Sequence, residues 1–293
     1  MAGTDLAVGR LDRADVDAAH GLSTRAGWDT RRSDWRRMVD LDAVDAFAGR
    51  LDGRLVATAT LVRYGSRVGW IGLMIVRRGH RRRGHGTRML RACLEAADAA
   101  ALDTVGLDAN ARGRPLYDAH GFVAVGTVTR WRGTVDAASR PERVTAVSDP
   151  GPVAALDRRA CGVDRRFLLA SLLDDEGTVG VLRRDPDGDV AGYALGLRRP
   201  PGRKVGPLVA STPDDAAALL RAVSARTDGG PVTVDAVGSP GAGTGGDVAG
   251  ATADRYRRLG LAPERSLARM THRDPAEPLM GDRVRGVVAF EYG

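Results

Sequence analysis

An almost uninterrupted apolar run at 68–76 leads into Arg77-Arg78-Gly79-His80-Arg81-Arg82-Arg83-Gly84-His85-Gly86. The segment that follows, 87–101, carries Met89, Leu90, Cys93, Leu94 and Ala97 at helical spacing. A strand apolar on both faces belongs inside a sheet. The chain therefore leaves a buried strand through a glycine-rich turn and enters an amphipathic helix, so sheet and helices are layered together. The first amides of such a helix have no partner within it and point out of the strand end, where they attract anions. Gly84 and Gly86 let a diphosphate approach those amides, which side chains would hold off. Arg81 and Arg83 add positive charge. A Walker phosphate loop is excluded by the missing Gly-Lys-Ser/Thr. A dinucleotide fingerprint is excluded by the absent third glycine and the late position in the unit.

Around this turn the elements fall into two series. A strand at 6–11 precedes helices at 15–28 and 33–40, and strands at 47–51 and 55–62 flank Asp52-Gly53, a two-residue hairpin signal. After 87–101 come a strand at 104–108, a short helix at 114–120 and a strand at 122–131 that closes a first unit near Gly133. The polar stretch 134–142, with Pro141, reads as a linker. Beyond it the order recurs. Helices are expected at 153–161 and 167–173, strands at 178–183, 190–197 and 205–210, a helix at 213–226, a strand at 232–237, a helix at 251–259 and a strand at 267–271. The expected division is a first domain at 1–133, a linker at 134–142 and a second domain at 143–293, related by a diverged duplication. The glycine-rich stretch 238–250 lacks a lysine and reads as a surface loop.

The excess of 44 Lys and Arg over 37 Asp and Glu, a formal charge of +7, suits an anionic partner. That partner is not expected to be nucleic acid, because aromatic residues are 4% of the chain and form no base-stacking cluster. No run reaches the roughly 18 apolar residues that a membrane helix needs, and residues 1–13 lack an apolar leader core, so a cytoplasmic location is expected. Two cysteines, Cys93 and Cys161, are too few for a disulfide framework or a Cys/His metal site.

A second cluster follows the glycine turn in order: Asn110, then Pro115-Leu116-Tyr117, then Gly121-Phe122. With Val76 and Arg81-Arg82-Arg83-Gly84-His85-Gly86 before it, this pattern resembles the GNAT superfamily of N-acetyltransferases over roughly 5–132. The resemblance implies an α/β architecture with a mixed sheet: two GNAT-like domains, each a twisted, mostly antiparallel sheet with one splayed parallel strand pair, flanked by helices. It implies acetyl-coenzyme A as cosubstrate, with pantetheine along Met74, Ile75 and Val76 and the pyrophosphate at Arg81, Arg82, Arg83, Gly84, His85, Gly86 and Thr87. Asn110 would bond pantetheine or cap the next helix. It further implies direct transfer of acetyl to a primary amine, on a small molecule or a protein, with no acyl-enzyme; composition adds the expectation of no metal and no membrane or nucleic-acid partner, and self-association is compatible with all of this. Tyr117 is the expected proton donor, since a phenol of pKa about 10 can protonate a departing thiolate whose thiol lies at about 8.5. The base is less determined, for 70–76 holds no carboxylate. Asp108, at the end of the neighbouring strand, is the candidate, beside a water relay or an already neutral amine.

The second half resembles tandem members of the same superfamily through Arg198 or Arg199 and Gly206-Pro207-Leu208-Val209-Ala210 ahead of a helix. No Arg-x-x-Gly-x-Gly follows, and Pro213-Asp214-Asp215 puts carboxylates where a pyrophosphate would sit. This half is expected to shape the acceptor site rather than hold coenzyme. Asp157, Cys161-Gly162 and Asp164-Arg165 also match the tandem type, with no function readable from sequence.

Overall fold

The computed structural model describes residues 5–136, 141–227, 230–238, 250–273 and 281–293. Part of the expected linker and most of the glycine-rich loop expected at 238–250 lie outside the described residues. The first series comprises β1 (Ala7–Arg10), α1 (Val16–Arg25), α2 (Arg32–Asp40), β2 (Val44–Leu51), β3 (Arg54–Tyr64) and β4 (Val68–Val76). It continues with α3 (His85–Ala99), β5 (Thr104–Ala109), α4 (Arg114–Asp118) and β6 (Val123–Gly133). The second comprises β7 (Val144–Val147), α5 (Gly151–Cys161), α6 (Arg166–Leu173), β8 (Val179–Arg184), β9 (Val190–Arg199) and β10 (Gly202–Ala210). Then come α7 (Pro213–Ala225), β11 (Val232–Gly238), α8 (Gly250–Arg258) and β12 (Leu261–His272), and a short strand, β13 (Val284–Gly286). Element for element the two series correspond up to β13. Asp52 and Gly53 both have positive φ, as the hairpin requires.

All strands join one sheet in the order β1-β2-β3-β4-β5-β12-β6-β11-β10-β9-β8-β7, with β13 added on β10. The order reads the same from both ends except at its centre, where the long strands have changed places. β12 pairs with β5 and β6 with β11, both antiparallel, and β6 and β12 pair with each other. The two series thus share one sheet, and the linker divides the chain but not the sheet. β12 also begins at Leu261, earlier than its apolar pattern suggests, because Ala262 to Arg265 form an exposed edge segment with a bulge.

Each half repeats one irregularity. In β4 two residues, Leu73 and Met74, stand opposite the single Ala59, since Thr58 faces Ile75 and Thr60 faces Gly72. Leu73 takes a positive φ there, and the Thr58 hydroxyl donates to its carbonyl at 2.8 Å. In β10, Gly206 and Pro207 stand likewise opposite Leu195. Each bulge ends a parallel pairing. β4 and β5 are in register from Val68↔Thr104 to Ile71↔Leu107 and then part; β10 and β11 are in register from Arg203↔Val232 to Val205↔Val234 and then part.

α3 packs Met89, Leu90, Cys93 and Ala97 against β2, β3 and β4, and α7 packs Leu219, Leu220 and Val223 within the second unit. A third core is common to both halves. Trp35 and Met38 of α2, Leu168 and Leu172 of α6, Tyr193 and Tyr292 are all buried in it. Within it lie Asp157, Arg165 and Cys161, whose function the sequence left unread: Asp157 pairs with Arg165 at 2.9 Å, accepts from the Tyr193 hydroxyl and faces the Cys161 thiol, a buried network in which Arg165 Nη1 alone has no partner among the described residues.

Candidate active site

The parting of β4 from β5 opens a cavity of ≈ 330 Å³, lined by Gly72, Leu73 and Met74 on one wall and by Leu107 to Asn110 on the other. Downstream of β4 the glycine turn is built as its residue types demand. Gly84 is the N-cap of α3 at φ +79, and Arg82 also has positive φ. The first bond of the helix runs from the Arg88 N–H to the Gly84 carbonyl at 3.1 Å, so the N–H groups of His85, Gly86 and Thr87 have no acceptor in the helix. A Cβ on Gly84 would meet nothing within 4 Å, and one on Gly86 would meet Leu116 at 3.3 Å. The three arginines divide. Arg82 and Arg83 are exposed, whereas Arg81 is tied back, its Nε donating to the Val76 carbonyl at 2.8 Å. His85 is buried, and burial lowers its pKa. Met74 and Val76 are half-buried while Ile75 is buried, the alternation of a strand with one face on the cleft.

Tyr117, on the one-turn helix α4, lies across the cleft from the bulge, its hydroxyl 3.5 Å from the Met74 sulfur. Burial pushes its phenol well above the ordinary value. Asn110 Oδ1 accepts from the Gly113 N–H at 2.9 Å in the turn before α4, and the residue also lines the cavity. Cys93 is fully buried within α3 and its thiol is pushed up by burial, as for a core thiol.

Asp108 lines the same cavity, but the strand exchange gives it a partner that no local pattern announces. Arg269 of β12 donates from Nε and Nη2 to its two carboxylate oxygens, each at 3.0 Å. Burial raises its pKa and Arg269 opposes this. Further charge comes from the second unit. Lys204 of β10 and Arg130 of β6 both pair with Asp235, which they hold at about 2 against the cost of burial. Arg199 reaches Asp34 of α2. Glu291, in the segment after β13, also lines the cavity. Sequence reading missed Arg130, Lys204, Asp235, Arg269 and Glu291, because each acquires its place from a strand or segment remote in the chain.

The second unit's counterpart of this site is filled by the protein itself. β13 pairs with β10 just beyond the bulge, and a Cβ on Gly206 would stand 2.0 Å from the Val287 carbonyl oxygen. The start of α7 is closed by a capping box. Thr212 Oγ1 accepts from the Asp215 N–H at 3.1 Å, and Asp215 accepts from the Thr212 N–H at 3.2 Å. Among the described residues no group of three or more His, Cys, Asp or Glu is placed to hold a metal ion, and no helix is long and apolar enough to cross a membrane.

Comparison with known proteins places the same two units. The acetyltransferase (GNAT) family matches residues 17–122, and an acetyltransferase (GNAT) domain family matches residues 153–279. The chain is 28% identical over 235 residues to the uncharacterized N-acetyltransferase YitH of Bacillus subtilis, covering 77% of this chain and 80% of that one. It is 27% identical over 215 residues to the holothin acyltransferase of a Pseudoalteromonas species, covering 71% of each. Its fold is similar to that of a Pyrococcus horikoshii protein described as an acetyltransferase, at TM-score 0.80 and 22% identity over 100% of this chain and 98% of the other. It is also similar to a tandem GNAT protein from the clavulanic acid biosynthesis pathway, at TM-score 0.62 and 14% identity over 93% and 100%.

Proposed function

We propose that this chain, which belongs to the GNAT superfamily as a tandem member, transfers the acetyl group of acetyl-coenzyme A to a primary amine at the splay of β4 and β5. The observation that supports this most directly is the pairing of two features along one cleft: the unpartnered amides of His85, Gly86 and Thr87 at one end, and the Tyr117 hydroxyl facing the Met74 bulge at the other. An amide-rich helix start favours a diphosphate by roughly 0.3–2 kcal/mol through its dipole, beyond the hydrogen bonds themselves. Arg82 and Arg83 supply exposed charge beside it, and Arg81 braces the turn against the end of β4. The free edge of β4 from Met74 to Val76 can bond an extended pantetheine arm as a sheet bonds an added strand.

The coenzyme supplies an activated thioester carbonyl; the protein supplies position and protons. Tyr117 stays protonated at neutral pH because burial disfavours its phenolate, and it can give its proton to the leaving sulfur. Asp108, gripped by Arg269 through both oxygens, serves as a positioning residue that fixes β5 to β12. The second unit holds no coenzyme in this reading, since its own strand and carboxylates occupy the equivalent places. It walls the acceptor side through Lys204, Arg199 and the segment 289–291.

The test is thiol release from acetyl-coenzyme A against a panel of alkyl polyamines, α-amino acids and short peptides, with coenzyme binding followed by calorimetry. Binding that is lost in Gly86→Glu, with amine-dependent thiol release in the unaltered protein, is the expected result. Binding that survives Gly86→Glu would remove the assignment of the turn.

A further inference from the structure

Glu291 lies where β4 itself has no side chain. A Cβ built on Gly72, the last residue before the bulge, would fall 2.7 Å from both the Cα and the Cβ of Glu291. The segment that carries it is anchored on both sides. The Trp70 indole donates to the Phe290 carbonyl at 2.8 Å, and the Tyr64 hydroxyl to the Tyr292 carbonyl at 2.5 Å. The Tyr292 hydroxyl accepts from Arg37 at 3.3 Å, and Arg130 stacks on the Phe290 ring at 4.7 Å. These contacts fix the residue's backbone over the mouth of the splay.

Three carboxylates line the cavity, and their surroundings differ. Asp108 has both oxygens committed to Arg269. Asp29 is exposed. Glu291 is half-buried, and among the described residues no ion pair engages it. We propose that Glu291, contributed by the second unit, is the general base of the first unit's site, accepting a proton from the acceptor's ammonium group. This rests on the acetyl-transfer reading given above.

The ammonium gives one proton to the Glu291 carboxylate, and the freed nitrogen lone pair forms the C–N bond to the thioester carbonyl. On collapse the C–S bond breaks and its electron pair takes the Tyr117 proton; the second nitrogen proton restores the phenol, leaving amide, thiol and one proton on Glu291. Burial and the nearby Asp34 push the Glu291 carboxyl up to about 7, against its own backbone N–H, Arg199 and Lys204. The other charged or titratable groups around it are Arg130 of β6 and Tyr292. Base and acid in one cavity thus have environments that separate their proton affinities, as acid–base catalysis requires.

The experiment compares the full chain with Glu291→Gln and Glu291→Asp, using acetyl-coenzyme A and whichever panel amine the unaltered protein turns over fastest. In Glu291→Gln, kcat is expected to fall by about 10²–10⁴-fold with coenzyme Kd within about twofold, and the rising limb of rate against pH near 7 to vanish. Glu291→Asp should restore part of kcat and keep a limb. A carboxyl resonance titrating near 7 by NMR in the coenzyme-free protein, absent from Glu291→Gln, is the readout independent of turnover. Unchanged kcat and an unchanged pH limb in Glu291→Gln would overturn the proposal while leaving acetyl transfer intact. No thiol release and no coenzyme binding by the unaltered protein would overturn both.

Discussion

Arg199 of β9 bridges the two units by donating from Nη2 to both carboxylate oxygens of Asp34 at 2.8 Å. Asp34 is almost wholly buried on α2 and also accepts from Arg37 at 3.3 Å and from the Arg31 N–H at 2.7 Å. Removing Arg199 would leave a desolvated carboxylate short of its best partner. Arg199→Ala should therefore cost about 3 kcal/mol in urea unfolding, and Arg199→Lys should recover part of it, because a single nitrogen makes both bonds and an ammonium restores the charge.

The turn predicts a separation of binding from folding. Gly86→Glu places a carboxylate among the free amides, where a Cβ meets only Leu116. Its midpoint of thermal unfolding should stay within a few degrees of the parent, while coenzyme affinity measured by calorimetry falls by more than about a hundredfold.

Tyr117→Phe removes one hydroxyl and leaves the ring that packs edge-on against Phe122 at 5.8 Å. Turnover should drop by about ten- to ten-thousand-fold with coenzyme affinity nearly unchanged. Since burial holds the phenol far above its ordinary value, no falling limb assignable to this residue should be seen in initial rates up to about pH 10.

Glu291 also predicts a stability signature. Its ordinary value of 4.5 is raised on folding to about 7, so the folded chain binds the proton more tightly than the unfolded chain. The associated stability is complete below about pH 4.5 and is lost as pH rises through about 7. Measured as the difference between the parent and Glu291→Gln, stability of the parent should fall by about 1–3 kcal/mol across that window. A flat difference would mean that the carboxyl is not desolvated.

One coenzyme should bind per chain. Val287 and Val288 crowd Gly206 in the second unit so closely that even a methyl there has no room. Calorimetry should return a stoichiometry near one, and Gly206→Ala should unfold the chain at markedly lower denaturant rather than open a second site.

Much of this was legible in the residues. Gly84 and Gly86 announced a turn that needs positive φ and close approach, and nearly every helix and strand followed from periodicity because local pattern decides local structure. β7 and β13 were not readable, being three or four residues long with no pattern of their own. The partner of a strand is not a local property. That Asp108 would meet Arg269 across 161 positions, or that Glu291 would settle over Gly72, depends on β12 entering between β5 and β6, and nothing within a window of sequence encodes that. The family resemblance directs attention to 70–76, which holds no carboxylate; Gly72 leaves a space there, and the backbone of Glu291 lies over it.

The exchange of β6 and β12 makes the halves an interlocked pair rather than beads on a string. Cut between Gly133 and Val144, the pieces should still cling through the β5–β12 and β6–β11 ladders, and neither piece alone would own a finished catalytic centre. Under the proposed function the second half, without a coenzyme of its own, would serve the first as the donor of a wall and a carboxylate.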